Sequence, residues 1–412
     1  MQGKTKILFR NLRDYINALI SRKQSALIFG PRQVGKTTLV KNSLKSINNI
    51  DIVDCFFQNP EIRLNYEKDP ALLIRQLKAS KTHKLVFIDE AQKVPQIFDA
   101  VQYLIDENIA SFIITGSSAR KLKRKGGNLL PGRVKSFRLT PLLFNEMGWL
   151  KSEKSQILKI KNINPLQKYS FKKSMVFGSL PYIVNLKTDK DRVDFLRAYS
   201  HIYLEEEIRA EALSRKMGAF SRFIELAAQE SGTSPNFSKL SMESGVSAPA
   251  VKEFYNILED TLVIERVDPY LKNARKRIFS SPKYYFFDLG VRNSIARFPL
   301  AQELVNSQKG ILFEHAIMLE IINRIRALNL DYKVCYWRTS SGAEVDCVID
   351  TGGEVIPVEI KSSSKVSKRD AKGLFSFLKD YSNVAKKGFI ITQGDKPEVI
   401  ADNVTAIPWD YL

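Results

Sequence analysis

The chain has 412 residues, enough for two or three domains, and its 44% hydrophobic and 26% charged content suits a globular protein. Its 64 Lys and Arg against 44 Asp and Glu leave a formal net charge of +20, which favours a polyanionic partner such as DNA, with basic solubilising surface as the alternative. Cys55, Cys335, Cys347 and the histidines His83, His201 and His315 are too scattered for a disulfide framework, a zinc site or histidine-centred chemistry; with no membrane-length apolar run and no secretory signal at the start, the expected location is the cytoplasm.

Leu12 to Ile20 carries apolar residues at helical spacing and predicts an amphipathic helix over the sheet that follows. The apolar run Ser25 to Phe29 then leads into Gly30, Pro31, Arg32, Gln33, Val34, Gly35, Lys36, Thr37 and Thr38. This is a G-x-x-x-x-G-K-T phosphate loop after a short buried strand and before a helix. Such a helix directs its unpaired N–H groups at a phosphate chain. Lys36 is expected to reach the β/γ phosphates and the Thr37 hydroxyl to ligate Mg²⁺, so ATP and Mg²⁺ are the expected ligands. The G-x-G-x-x-G spacing of dinucleotide sites is absent.

A second strand is expected over 50–57, a helix over 70–77 and a third strand from Lys84 to Asp89, followed by Glu90. Its continuous apolar run predicts burial on both faces, and ligands of open α/β sheets collect at the carboxyl ends of strands. Asp89 is therefore placed for Mg²⁺, and Glu90 for activating the attacking water. After a helix over 95–108, Ser111 to Gly116 is a fourth strand ending in hydroxyls. Ser117 is the candidate to sense the γ-phosphate, with Thr115 and Ser118 as alternatives and an ordinary turn as the bland reading. Arg133 precedes a fifth strand, 134–139, and could neutralise phosphoryl charge in its own subunit or a neighbour's, or simply hold a loop. Residues 1–150 thus read as an α/β nucleotide-binding domain with a largely parallel sheet.

Residues 151–215 read as a helical linker region. The consecutive Glu205, Glu206 and Glu207 fit a solvated helix face better than a metal site. Residues 216–283 predict a winged-helix-like domain, with one helix over 237–244 closed by Gly245 and another from Ser247 to Asp260. Two wing strands, 262–264 and 276–279, are expected around a basic stretch containing Lys272, Arg275, Lys276 and Arg277. The second helix shows Ser247, Lys252, Glu253 and Asn256, a weak set for seeking phosphate, so the wing is the better DNA candidate.

Residues 284–412 contain a helix over 310–324, then strands over 343–349 and 355–361. Side chains two apart share a strand face, which makes neighbours of Glu344 and Asp346, and of Glu359 and Lys361. Asp346, Glu359 and the helix carboxylate Glu314 could hold a divalent metal, with Lys361 orienting water or countering charge. That is a nuclease-like constellation on an α/β core; salt-bridged surface strands would explain the same residues.

The phosphate loop, Phe87 to Gln92, Ile114 to Ser118, Leu130 to Arg133, Gly178 to Pro181, and Tyr336 through Lys361 occur in one order. Together they resemble the prokaryotic AAA-type ATPases with a C-terminal DUF4143 domain. The resemblance covers almost the whole chain and implies a P-loop ATPase core, a winged-helix middle and a restriction-endonuclease-like end. It implies nucleotide contacts at Lys36 and Thr37, an acidic motif at Asp89 and Glu90, a sensor at Ser117 and a Gly-Arg motif at Arg133. Asp346, Glu359 and Lys361 match the nuclease-like positions. The leading expectation is an ATPase coupling hydrolysis to conformational change on DNA or a protein partner, with a homo-oligomer required if Arg133 acts in trans. An ATP-regulated nuclease and an ATP-dependent protein-interaction switch are the alternatives.

Overall fold

The computed structural model describes residues 8–47, 50–80, 82–117, 130–151, 157–164, 169–210, 217–271 and 281–412, with side chains 201–210 and 217 left aside. Ser118, the basic run from Arg120 to Lys125, the side chains of Glu205 to Glu207 and the expected wing strand 276–279 lie outside what is described. The chain forms two compact units. One runs through Pro141 and takes in Asp260–Val263; the other comprises Leu142–Glu259 and Ile264–Leu412.

The first unit opens with α1, Leu12–Ser21, which buries Leu12, Ile16, Leu19 and Ile20 along one stripe. Five strands follow: β1 (Ser25–Phe29), β2 (Ile52–Phe56), β3 (Lys84–Asp89), β4 (Ala110–Gly116) and β5 (Val134–Arg138). All are parallel, in the order β2-β3-β4-β1-β5. The helices between them are α2 (Lys36–Lys45), α3 (Pro60–Lys68), α4 (Leu72–Lys78) and α5 (Ile97–Asp106). Leu27, Val86, Ile88, Phe112 and Ile114 from the sheet join Phe98, Val101 and Leu104 of α5 in one core. Complete burial of such a side chain is worth roughly 1.5–3 kcal/mol, which is why β3 and β4 carry the apolar runs Leu85 to Ile88 and Phe112 to Ile114.

The second unit begins with helices α6 (Phe171–Phe177), α7 (Pro181–Asn185), α8 (Asp189–Ala210) and α9 (Met217–Gln229). The helix pair expected next is present as α10 (Phe237–Ser244) and α11 (Ala248–Asp260), with Gly245 left-handed between them. Of the two expected wing strands, only the first falls on described residues. β6 is Ile264–Pro269, and its antiparallel partner β7 is Lys283–Phe286. The aromatic run Tyr284 to Phe287 looks like any buried strand, and nothing local names its partner. Beyond β7 come α12 (Leu289–Ile295), α13 (Gln302–Ser307) and α14 (Lys309–Ala327).

Then follow β8 (Lys333–Arg338), β9 (Glu344–Asp350), β10 (Val355–Ile360), α15 (Lys372–Asp380), β11 (Gly388–Thr392), β12 (Glu398–Ala401) and β13 (Val404–Pro408). β6 also pairs in parallel with β8, so one eight-stranded mixed sheet runs β12-β13-β11-β10-β9-β8-β6-β7. The boundary expected at 283/284 therefore falls inside β7, and strands from both sides of it share that sheet. Trp337, Val345, Val348, Leu374, Phe377 and Ile390 form the core beneath it. Among the described residues no helix is long and apolar enough to cross a membrane.

Candidate nucleotide site and carboxylate cluster

The Gly30–Gly35 turn joins the end of β1 to the start of α2, so α2 presents its first-turn N–H groups toward the space beyond the strand ends. Gly30 permits a close approach. The Leu139 N–H donates to the Phe29 carbonyl at 2.7 Å, and a Cβ on Gly30 would lie 2.2 Å from the Leu139 carbonyl oxygen. Pro31 and Val34 are buried, Arg32 is half-buried, and Gln33 and Thr38 are exposed. Gln33 and Gly35 both take positive φ, 67° and 92°, which bends the loop tightly.

Lys36 is buried, and its Nζ donates to the carbonyls of Gly30 at 2.8 Å and Pro31 at 2.9 Å. A residue that the sequence did not single out braces the loop. Arg10 is buried and donates to the Val34 carbonyl at 2.8 Å and to the Thr140 carbonyl at 2.6 Å. It thereby ties the loop to the segment after β5.

β4 lies between β1 and β3, so its carboxyl end stands between the phosphate loop and the acidic pair. The hydrogen bonds follow that order. The Thr37 hydroxyl donates to Asp89 Oδ1 at 2.8 Å, and the Thr115 hydroxyl donates to the same oxygen at 2.6 Å. Glu90 follows in a left-handed conformation, φ 59° and ψ 47°, with its N–H on the Thr115 hydroxyl at 3.2 Å. Non-glycine residues held there cost about 1–3 kcal/mol and cluster at functional sites. The Glu90 carboxylate accepts from Gln92, whose amide also reaches Ser117 Oγ at 2.8 Å. Lys36, Thr37, Asp89, Glu90, Thr115 and Ser117 are thus brought to one edge of the sheet.

Arg133 is not. It precedes β5, and Val134 pairs with Ser25 at the opposite end of β1 from the loop, roughly 13 Å back along the strand. Its guanidinium instead grips Asp106 at the end of α5, Nε to Oδ1 at 2.6 Å and Nη2 to Oδ2 at 3.0 Å. Strand direction separates the arginine from its own phosphate loop, so the same-subunit role does not hold. Only action on a neighbouring subunit keeps it in the site.

In the second unit, Val358 of β10 lies opposite Cys347 of β9, which puts Glu359 beside Asp346. The Ile360 N–H donates to Asp346 Oδ2 at 2.8 Å, and Lys361 Nζ sits 2.5 Å from Glu359 Oε1. Glu314 on α14 accepts from the Tyr285 hydroxyl at 2.9 Å, and Lys283 pairs with Glu344 at 2.6 Å. Burial raises Glu359 to about 8 and Glu314 to about 7, with the charge of Asp346 adding to both shifts. The four carboxylates do gather around β9 and β10.

They do not form the expected metal cage. Among the described residues no three acidic, histidine or cysteine side chains stand close enough to hold a metal ion. In the pairs just named, a tyrosine hydroxyl, a backbone N–H and a lysine each bond one oxygen of Glu314, Asp346 and Glu359. Within this cluster, Glu359 Oε2 is buried without a hydrogen-bond partner among the described residues.

Raised carboxylates mean that the folded unit keeps protons the unfolded chain has released. Stability is then fully present below about pH 4.5 and falls as pH climbs through 7 and 8. With divalent cations chelated, the denaturant midpoint of this unit is expected to be lower at pH 8.5 than at 5.5. Glu359→Gln should flatten the dependence, and an equally steep profile in that variant would contradict the assignment.

Residues 22–148 match the family described as an AAA domain, 168–302 a domain of unknown function, DUF8612, and 309–412 another, DUF4143. Uncharacterized proteins of Mycobacterium bovis and Mycobacterium tuberculosis are each 27% identical over 399 residues, 95% of this chain and 82% of theirs. Among solved structures, a Walker-type ATPase of Pyrococcus abyssi is similar at 13% identity and a TM-score of 0.47, covering 72% of this chain and 98% of its own. The Orc1 protein of Aeropyrum pernix, solved in complex with DNA, is similar at 12% identity and a TM-score of 0.31, covering 73% and 95%. At those scores the likenesses are too remote to carry a function. The AAA match covers the phosphate loop and the acidic pair and the DUF4143 match covers the other end, so the chain combines an AAA domain with a C-terminal DUF4143 domain.

Proposed function

We infer that the chain binds ATP with Mg²⁺ at the Gly30–Thr38 loop, hydrolyses it, and uses turnover to change its conformation on a DNA or protein partner. The observation that carries this reading is the bond from the Thr37 hydroxyl to Asp89, joined by Thr115, which links the first turn of α2 to the ends of β3 and β4. Hydroxyl and carboxylate oxygens are the donor set Mg²⁺ prefers, so the residues present fit the ion. When bound, Mg²⁺ would neutralise charge on the phosphates.

The chain's own groups supply the rest. The α2 N-terminus and Lys36 hold the phosphate chain, with Lys36 leaving the Gly30 and Pro31 carbonyls to do so. Asp89, engaged by two hydroxyls, serves the metal side and leaves Glu90 to accept a proton from water. Arg133 would complete a neighbour's site in an oligomer.

Lys36→Ala is expected to abolish saturable nucleotide binding at concentrations that fill the unchanged protein, measured with a fluorescent ATP analogue. Equal affinity in the two proteins would remove the phosphate loop from this role. The net charge of +20 supports DNA as the partner. Turnover measured with and without single-stranded, duplex and branched nucleic acids decides it, and salt-independent, unstimulated turnover would favour the protein-interaction switch. The nuclease alternative has the unpartnered Glu359 oxygen in its favour and the lysine-occupied carboxylates against it.

A further inference from the structure

Gln92 lies in the single 3-10 turn after β3, Ala91–Lys93, and points back into the site rather than out to solvent. One amide makes three bonds there. Nε2 donates to Glu90 Oε2 and to Ser117 Oγ at 2.8 Å, and Oε1 accepts from the Ser117 N–H at 3.3 Å. The partners fix its orientation. A backbone N–H can only donate and must meet the amide oxygen, while an ionised carboxylate can only accept and must meet the nitrogen.

Its place is also built by the strand beside it. A Cβ on Gly116 would stand 3.2 Å from Gln92 Oε1, tighter than ordinary contact, so glycine at the end of β4 leaves the room this side chain uses. Buried polar groups satisfied on every side rigidify the groups they join.

We propose that Gln92 is the positioning residue of the hydrolysis site, sorting donor from acceptor on either side of the reacting phosphate. This rests on the ATPase reading above. By binding one oxygen of Glu90, the amide turns the other toward the attacking water as an acceptor. By donating to Ser117 Oγ, it leaves the serine proton to point outward as a donor to a phosphate oxygen. One side chain thus couples the sensing hydroxyl to the base, and Gln92 does so without touching substrate.

The test is a kinetic cycle on the full chain. Gln92→Ala is expected to lower kcat about 10- to 100-fold with ATP affinity retained, because misplacing a reacting group costs rate rather than binding. Gln92→Asn keeps the amide but is one methylene short of bridging, so it should show the same loss, and it guards against a poorly folded alanine variant. Gln92→Ala should add nothing further in a Glu90→Gln background, and less than its own factor in Ser117→Ala. A merely structural role would instead weaken nucleotide affinity and multiply in both backgrounds, which would overturn the proposal. So would unchanged kcat in Gln92→Ala while Glu90→Gln is inactive, and that result leaves the ATPase reading standing. Absence of any turnover in the unchanged protein would sink both together.

Discussion

Glu90→Gln is expected to lower ATP turnover by about 10²- to 10⁴-fold while nucleotide affinity stays near that of the unchanged protein. The reason is a division of labour between adjacent carboxylates. Asp89 is buried and accepts from two hydroxyls, Thr37 and Thr115, on one oxygen. Both hydroxyls hold Asp89 in place, which suits the metal-holding role proposed for it. Glu90 is half-buried, at the last turn of backbone before the 3-10 helix, with its left-handed φ swinging the side chain off the strand axis. A glutamine there keeps the size and one acceptor oxygen, yet cannot take a proton from water. Single-turnover hydrolysis beside equilibrium nucleotide binding separates the two effects. Turnover at the original rate in Glu90→Gln would remove Glu90 from the chemistry.

The parts of this site that were legible are those whose physics is local. A strand buried on both faces shows as an unbroken apolar run, and a phosphate loop needs its residues at one spacing, so Gly30–Thr38 and Asp89-Glu90 stand out in the primary structure. The α10–α11 pair was legible for the same reason, through Gly245 and the helical periodicity around it. A signal was also present for α3, where Asn59 Oδ1 accepts from the Glu61 N–H at 2.9 Å and Pro60 opens the helix. What was not legible depends on topology. Arg133 sits next to a strand, but only the strand's direction shows that it lies at the end away from the loop. Arg10 reaches Thr140 across 130 residues, and Gln92 reaches Ser117 across 25, so no window contains either bond. The partner of β6 is hidden similarly, because a buried aromatic strand carries no mark of what it pairs with. The nuclease-like pattern shows the converse: Asp346, Glu359 and Lys361 share a neighbourhood as their spacing requires, while the Ile360 N–H and Lys361 each bond one of the carboxylate oxygens, which no spacing reveals.

The second unit is held by a buried ion pair whose loss should be the costliest single change outside the nucleotide site. Arg324 and Glu320 lie one turn apart on α14, and both are almost fully buried. Arg324 donates to the backbone oxygens of Leu158 at 3.2 Å and Leu412 at 2.6 Å, and Glu320 Oε2 accepts from the Phe144 N–H at 3.1 Å. The pair therefore ties α14 to three separate stretches of the unit. Glu320 belongs to this pair, whereas Glu314, two turns earlier, faces the carboxylate cluster. Arg324→Met fills most of the volume but strands a charge and two backbone oxygen acceptors, and removing one partner of a buried pair costs about 3–5 kcal/mol. Burial already raises the Glu320 pKa, and without the guanidinium beside it the shift grows. A raised carboxylate contributes stability at low pH and loses it as pH rises, so the deficit of Arg324→Met should shrink on acidification. Denaturant unfolding at pH 5 and pH 8 reads both effects. Adding Glu320→Leu should recover part of the loss, since an apolar pair is often no less stable than the ionic one it replaces. A single variant with an unchanged midpoint would mean that the fold does not depend on this pair.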